Sequence, residues 1–290
     1  MKRKTIIICI ALAIFFLSLG ITLYPVISTA YNERHQSQIH TAYQELVDKT
    51  DHEAIAAEKA RAMAYNEAIL PGTQETDAFS QESLLGAVEE YADLLNMAGN
   101  GIMGYVKIPA IGVNLPIYHG TGDATLEKGV GHLLGSSLPV GGDSTHTILT
   151  AHSGMASQKM FSDLNLLKQG DVYYLDILGE RLAYQVDQIV TVLPYDTTYL
   201  GVEKGQDHCT LVTCTPFGVN THRLLVRGIR IPYEEAEVIT EVTLPEELPE
   251  STWEQEYLKG IYIALGIVAL IGLVALAVWL YQRYHHETVA

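Results

Sequence analysis

Apolar and polar positions change their rhythm several times along the chain. Thr5 to Ala30 carries no charged residue, and Ile6 to Leu23 is almost wholly apolar. A run of that length can cross a bilayer as a helix. From Tyr31 to Ala68 the sequence becomes polar and rich in Ala and Glu, with Ile39, Tyr43, Leu46 and Val47 on one helical stripe. That period predicts a solvated helical stalk, ended by Ile69-Leu70-Pro71-Gly72-Thr73. Gln81 to Met97 returns to the helical period, with Leu84, Leu85, Val88, Tyr91, Leu94 and Leu95 on one side. Between Gly101 and Tyr233 the texture is short β-rich runs broken by Gly, Pro, Asn and Asp. Strands are expected over Ile102–Ile108, Val113–Tyr118, Thr145–His152, Asp171–Leu178, Arg181–Leu193, Asp207–Cys214 and Arg223–Ile231, with a short helix over Phe161–Leu167. Regular short strands predict a barrel or a sandwich, and the pattern does not choose between them. Glu234 to Glu256 holds nine glutamates and two prolines, which predicts an exposed acidic tether. Gly260 to Tyr281 is again free of charge, a second expected membrane span. Trp253, Tyr257, Tyr262, Trp279 and Tyr281 bracket it as interfacial anchors.

Charge orients these pieces. Met1-Lys2-Arg3-Lys4 is basic and is expected to stay inside, with the downstream chain exported. Ser28-Thr29-Ala30 resembles a signal-peptidase site, but the apolar run exceeds the ~7–15 residues of a signal core, which favours a retained anchor. Two spans then put both termini inside and the middle of the chain outside. The net charge of −16 argues against a nucleic-acid partner, which wants a basic face. Three cysteines make no disulfide framework. Cys9 lies in the first apolar run. Cys209 and Cys214, about 16 Å apart in an extended chain and on opposite faces, lie beyond the ~7 Å a disulfide tolerates.

The candidate chemistry sits at strand ends. Cys209 to Cys214 alternates β-branched and apolar types, and Thr215-Pro216-Phe217-Gly218 breaks the run, so Cys214 stands at the mouth of a strand. Arg223 opens the next run, where a hairpin return brings it beside Cys214. Upstream, Thr147-Ile148-Leu149-Thr150-Ala151-His152 ends another strand with His152 at its exit. A thiol, an imidazole and a guanidinium together suit acyl transfer: nucleophile, proton carrier and oxyanion support. Taken alone, a lone Cys is usually a small buried hydrophobe. His119, His146, His208 and His222 lack metal-binding spacings, and Gly120, Gly122, Gly129 and Gly131 form no nucleotide fingerprint. No metal, nucleotide or other cofactor is expected.

Longer words around these residues resemble one family. Thr210-Leu211-Val212-Thr213-Cys214 matches the T-L-x-T-C signature of sortases, the cysteine transpeptidases of Gram-positive surfaces. The likeness runs from about Tyr65 to Tyr233. It includes Gly104-Tyr105-Val106-Lys107-Ile108-Pro109, Gly131-His132-Leu133, Ser136-Ser137-Leu138-Pro139-Val140-Gly141-Gly142, Thr150-Ala151-His152-Ser153-Gly154, Thr221-His222-Arg223-Leu224 and Val226-Arg227-Gly228. The set, with its C-terminal span, is similar to class C, the pilin polymerases.

The resemblance implies a mainly β fold, a closed eight-stranded barrel with short helices, preceded by N-terminal helices and flanked by two transmembrane helices. It implies Cys214 as nucleophile, His152 as its proton partner and Arg223 as oxyanion or substrate-positioning group. The expected substrate is a pilin with an LPXTG-like sorting signal, cut between Thr and Gly and passed through a thioester to a pilin lysine. Sortases that anchor proteins to cell-wall peptide use the same residues, and a membrane-tethered hydrolase or an inactive scaffold are the further alternatives. Resting Cys214 and His152 are an ion pair or both neutral, with coupled titrations. Many class C members carry a D-P-aromatic lid whose acid meets the arginine and whose aromatic covers the cysteine. Asp77-Ala78-Phe79 lies where that motif belongs, with Ala78 in place of the proline that would fix φ. The expected plan is thus a cytoplasmic start at 1–4, a membrane segment at 5–27, a helical stalk at 28–68 and a lid loop at 69–81. A catalytic domain follows at 82–233, an acidic tether at 234–258, a membrane helix at 259–282 and a cytoplasmic tail at 283–290.

Overall fold

The computed structural model describes residues 2–68, 88–244 and 248–287, so the expected lid residues Asp77 and Phe79 lie outside the described residues. The chain divides into two compact units, residues 23–249 and residues 1–22 with 250–290.

The larger unit is a closed barrel with strand order β1-β2-β3-β4-β7-β8-β6-β5. Its strands are β1 (Ile102–Ile108), β2 (Val113–His119), β3 (Val130–His132), β4 (Thr145–Thr150), β5 (Val172–Ile177), β6 (Glu180–Val192), β7 (Asp207–Thr215) and β8 (His222–Ile231). Seven of these fall where alternation predicts them. The eighth, β3, is three residues long and includes Gly131, too short to show a period. It pairs parallel to β2 and antiparallel to β4. Closure leaves no free sheet edge. The expected helix at Phe161–Leu167 shrinks to a single 3₁₀ turn, Leu164–Leu166, because Phe161 and Leu164 are drawn individually into the core.

The barrel interior is filled by aromatic and aliphatic side chains. Tyr173 and Tyr184 stack at 5.7 Å, both fully buried. Tyr173 donates its hydroxyl to the carbonyl of Cys209 at 2.6 Å. A Cβ on Gly228 would stand 2.7 Å from that hydroxyl, so β8 has room for the tyrosine only as glycine. Tyr184 donates to Asp207, which also accepts the Gly142 N–H at 3.0 Å. Burial raises the Asp207 carboxyl above its ordinary value, and these donors oppose it.

The stretch ahead of the barrel is helical, as expected, but it is no solvated stalk. Helix α1 (Lys2–Lys49) and helix α2 (His52–Ala68) break at Thr50 and Asp51. Tyr43 and Val47 are buried against Ile102 and Tyr105 of β1, and Tyr43 donates to the Met103 carbonyl at 3.1 Å. Leu178 N–H donates in turn to the Tyr43 hydroxyl. On α2, Ala62 is fully buried and Glu58 nearly so. The Glu58 carboxylate accepts the Leu95 N–H at 2.5 Å and pairs with Arg61 at 2.8 Å. Asn66 reads Leu138 as a strand would, donating to its carbonyl at 3.1 Å and accepting its N–H at 2.6 Å. A buried stripe of one residue per turn, flanked by glutamates, looks like a solvated face in sequence because the carboxylates that dock are indistinguishable from those that do not.

Helix α3 (Val88–Asp93) supplies Tyr91, and helix α4 (Asp123–Leu126) sits between β2 and β3. The acidic stretch after the barrel also departs from an extended tether. Its first part is helix α5 (Tyr233–Thr243), whose Ala236 is fully buried against Val172, Tyr174 and Ala183. Tyr174 fixes it by donating to the Ala236 carbonyl at 3.1 Å.

In the smaller unit, the first part of α1, up to Thr22, and helix α6 (Thr252–Glu287) carry most of the two apolar runs. Among the described residues, no helix is long and apolar enough to cross a membrane. Side chains between Ile14 and Ile21 and between Tyr262 and Leu273 that are described stand largely exposed.

Candidate active site

Register alone brings three of the expected residues together. Strands β4 and β7 run parallel with Ile148 beside Thr210 and Thr150 beside Val212. The pairing continues past β4, since Ala151 N–H donates to the Val212 carbonyl and the Thr213 hydroxyl to the Ala151 carbonyl at 2.8 Å. That places His152 level with Cys214. On the other side, Cys214 is the direct cross-strand partner of Arg223. His152, Cys214 and Arg223 therefore occupy one row across β4, β7 and β8, at the end of each strand.

Alternation settles which face they share. Cys209 and Leu211 point into the main core. Val212 points the other way, into a second apolar cluster with Ile148, Leu225, Leu133, Val192 and Leu200. Cys214 has the parity of Val212, and Arg223 that of Leu225. The row thus lies on the outer face of the sheet, next to an apolar bed roofed by the loop after β6, which carries Leu200. Cys214 is partly exposed, whereas Cys209 is fully buried. Burial pushes the Cys209 thiol well up, so it is inert as a thiolate.

His152 is half-buried. Desolvation lowers its pKa from the ordinary value, and the carboxylates of Asp123 and Glu127 pull against that. These acids stand at the two ends of α4, and nothing in the spacing of the sequence tied them to His152. The segment after His152 folds back on itself. Phe161 N–H donates to the His152 carbonyl at 3.1 Å, and Gly154 N–H to the Ser162 hydroxyl at 3.0 Å. Gly154 has φ +79°, and a Cβ there would meet the Phe217 ring at 3.6 Å. The loops that follow His152 and Cys214 touch at this point, and glycine allows it.

Arg223 is also partly buried. Its Nη1 donates to the carbonyls of Asn220 and His222, each at 3.3 Å. These contacts aim the guanidinium along the end of the hairpin, beside Cys214.

The other histidines hold structure. His132 is fully buried. Its Nδ1 lies 2.9 Å from the Tyr91 hydroxyl and its Nε2 2.9 Å from the Ser137 carbonyl. Burial drops its pKa to about 4, which keeps it neutral. His146 joins Thr210 and the Gly201 carbonyl in the same manner, with its pKa also lowered to about 4 by burial. Among the described residues, no group of His, Cys, Asp and Glu is arranged to hold a metal.

Comparison with known proteins bears on the family and the fold. Residues 106–231 match the model of the sortase domain. The sortase C structure of Streptococcus pneumoniae is 44% identical with a TM-score of 0.63, covering 68% of this chain and 97% of that one. Sortase C-1 of Actinomyces oris is 46% identical with a TM-score of 0.58, covering 61% of this chain and 99% of that one. Among curated relatives, sortase A of Streptococcus agalactiae is 29% identical over 141 residues, 48% of this chain and 54% of the relative. The chain spans little more than half the length of that relative. The sequence words around Cys214, His152 and Arg223, the eight-stranded closure and these matches have one reading: the chain belongs to the sortase family of cysteine transpeptidases, with its solved neighbours in class C.

Proposed function

We propose that the protein is a membrane-anchored class C sortase that joins pilin subunits. The observation that carries the proposal is the single row of His152, Cys214 and Arg223 on the outer sheet face. The Cys214 sulfur attacks the Thr–Gly carbonyl of an LPXTG-like signal. The S–C bond forms, the C–N bond breaks, and His152 passes a proton to the leaving glycine amine. Arg223 donates to the oxyanion in both tetrahedral intermediates. A pilin lysine amine then attacks the thioester, the C–S bond breaks, His152 takes the proton that the amine gives up, and an isopeptide bond remains with the Cys214 thiolate restored. The apolar bed of Val212, Leu225 and Leu200 beside the row suits an extended, weakly polar peptide. Pilin as substrate is supported by the Streptococcus pneumoniae sortase C, which is linked to pilin substrate specificity. The second reading, attachment to cell-wall peptide, draws on the sortase A relatives; the higher identity and fuller coverage of the sortase C structures favour the first.

The test is acyl-enzyme capture. Wild type mixed with an LPETG-containing peptide should gain the mass of the acyl fragment on Cys214. Cys214→Ala should gain none and Cys209→Ala should gain it normally. Capture that survives in Cys214→Ala would assign the nucleophile elsewhere. A pilin fragment with an available lysine should then release the thioester faster than water, whereas a cell-wall peptide as the better acceptor would select the second reading.

The lid belongs to this proposal. Asp77 is to pair with the Arg223 guanidinium, a charge-assisted contact, and Phe79 is to cover the thiol, so that opening gates entry. Asp77→Ala and Phe79→Ala should each speed the alkylation of Cys214 by a bulky maleimide. Rates equal to wild type in both folded variants would falsify it.

The membrane anchoring and the extracellular placement of the barrel are part of the same reading. They are supported by the two uncharged runs and by helices whose described apolar side chains are exposed around their circumference.

A further inference from the structure

The segment between His152 and Phe161 has few apolar anchors of its own. Met155 is only partly buried, and Met160 and Phe161 enter the core at the far end. What holds the middle is a set of amides from α1. Asn32 Nδ2 donates to the Ser157 carbonyl at 3.0 Å, and the Thr29 hydroxyl reaches the same carbonyl at 3.3 Å. Gln36 Nε2 donates to Gln158 Oε1 at 2.8 Å. Gln158 Nε2 then donates to the Glu127 carbonyl at 2.9 Å. A groove of about 260 Å³ lies alongside, lined by Asn32, Gln36, Asn114, Gln158, Lys159 and Met160. Helix and segment are therefore bridged beside a groove by polar side chains of α1.

The path of these bonds is specific. One end is α1, which tertiary contacts of Tyr43 and Val47 fix to β1. The other end is Glu127, whose neighbour across one helical turn is Asp123, and both acids act on His152. Gln158 stands between them with its acceptor satisfied by α1 and its donor by the carbonyl beside α4. Neither end of the amide can move without breaking a bond. The segment it belongs to returns to the His152 carbonyl through Phe161 N–H.

We propose that Gln36 and Gln158, assisted by Asn32, are positioning residues for His152: the chain Gln36–Gln158–Glu127 carbonyl ties the histidine segment to α1 and α4 and sets the imidazole against the Cys214 thiol. The proposal rests on the reading of His152 as the proton carrier. It gives the N-terminal helix a part in the reaction. A displacement of about 1 Å at a proton-transfer group can cost about a hundredfold in rate, so a tether of this kind is felt in kcat.

The experiment uses the full chain, in four forms: wild type, Gln36→Ala, Gln158→Ala and Gln158→Glu. Turnover of a fluorogenic LPETG peptide gives kcat and KM. Histidine-selective ring labelling gives the NMR signal of His152 beside those of the buried His132 and His146. Gln158→Ala should lower kcat by about tenfold, with KM within about twofold of wild type. The His152 signal should shift or broaden, while His132 and His146 stay in place and report an intact fold. Gln36→Ala should do the same from the helix side, where no part of the segment is altered. Gln158→Glu keeps the acceptor for Gln36 and loses the donor to Glu127, so its kcat should fall between wild type and Gln158→Ala. Wild-type kcat in Gln36→Ala and Gln158→Ala would overturn the proposal, as would a fall in kcat with the His152 signal unmoved. A wild type that forms no acyl-enzyme, with a His152 signal that still moves in the variants, would sink the catalytic reading and leave the tether standing.

Discussion

Two cysteines five residues apart lead opposite lives, and parity is the reason. Cys209 faces the core and serves as a small apolar group under the Tyr173 hydroxyl, while Cys214 faces outward at the strand end. That difference was legible in the sequence, because an odd separation along a strand reverses the face. So was the pairing of Cys214 with Arg223, through the short break at Thr215-Pro216-Phe217-Gly218 and the hairpin it permits. The acids that bear on His152 were not legible: Asp123 and Glu127 reach it through a turn of helix and a three-residue strand, a path with no periodic signature. Arg223 is the residue whose role the geometry makes most testable. Its planar fork is anchored by Nη1 on two carbonyls of the hairpin. A lysine keeps the charge but lacks the geometry to hold those carbonyls and donate to an oxyanion at once. Arg223→Lys should therefore lower kcat by more than about tenfold with little change in melting temperature. A variant with wild-type kcat would reduce Arg223 to a structural group. For the imidazole the sign follows from the charges around it: Asp123→Asn removes a carboxylate that favours the protonated ring, so the His152 midpoint in an NMR titration should fall.

At the scale of elements, alternation found seven strands because each has one face in the barrel and one outside it. It missed β3, whose three residues are too few for a period. It also mistook the docking of the N-terminal helices. Sequence pattern measures the hydrophobicity of a face, and α2 docks as much by polar side chains as by apolar ones: Glu58 holds the Leu95 N–H and Asn66 both polar groups of Leu138. Leu138 is fully buried; its carbonyl keeps the Val140 N–H at 2.8 Å, but removing the Asn66 amide leaves the Leu138 N–H without its acceptor away from water. Asn66→Ala should cost about 1–3 kcal/mol, read as a fall of several degrees in melting temperature. Asn66→Asp, which keeps the acceptor for the Leu138 N–H but cannot donate, should fall between. Melting at the wild-type temperature in Asn66→Ala would mean that α2 is held by its apolar contacts alone. The α5 helix teaches the same lesson from the other side: a run of glutamates read as a tether turned out to carry Ala236 and Ile239 on the face that meets β5 and β6.

At the scale of the whole molecule, charge bears on which side of a membrane the barrel faces. The basic start Met1-Lys2-Arg3-Lys4 and Arg283 lie at the outer ends of two uncharged runs. Positive charge is retained inside, so the proposed two-span reading puts both termini in the cytoplasm and residues 31–258 outside. The acidic stretch fits that placement, since glutamates contribute little to orientation and do not oppose export. A transpeptidase working on exported proteins also needs its thiol on that side. A glutamate-specific protease can decide the orientation, since it has nine sites between Glu234 and Glu256. Helix α5 shelters some of them by its hydrogen bonding, whereas Leu244 and Leu248, on either side of the next sites, are exposed. Protease added to intact, wall-stripped cells should cut there and leave the barrel joined to the N-terminal helices and held at the cell surface by the first span. The fragment should carry Cys214, detected by a biotin-maleimide that does not cross the membrane. Cleavage and labelling that occur only after lysis would place the barrel inside, and with it would fall the whole scheme of an anchored enzyme acting on surface pilins.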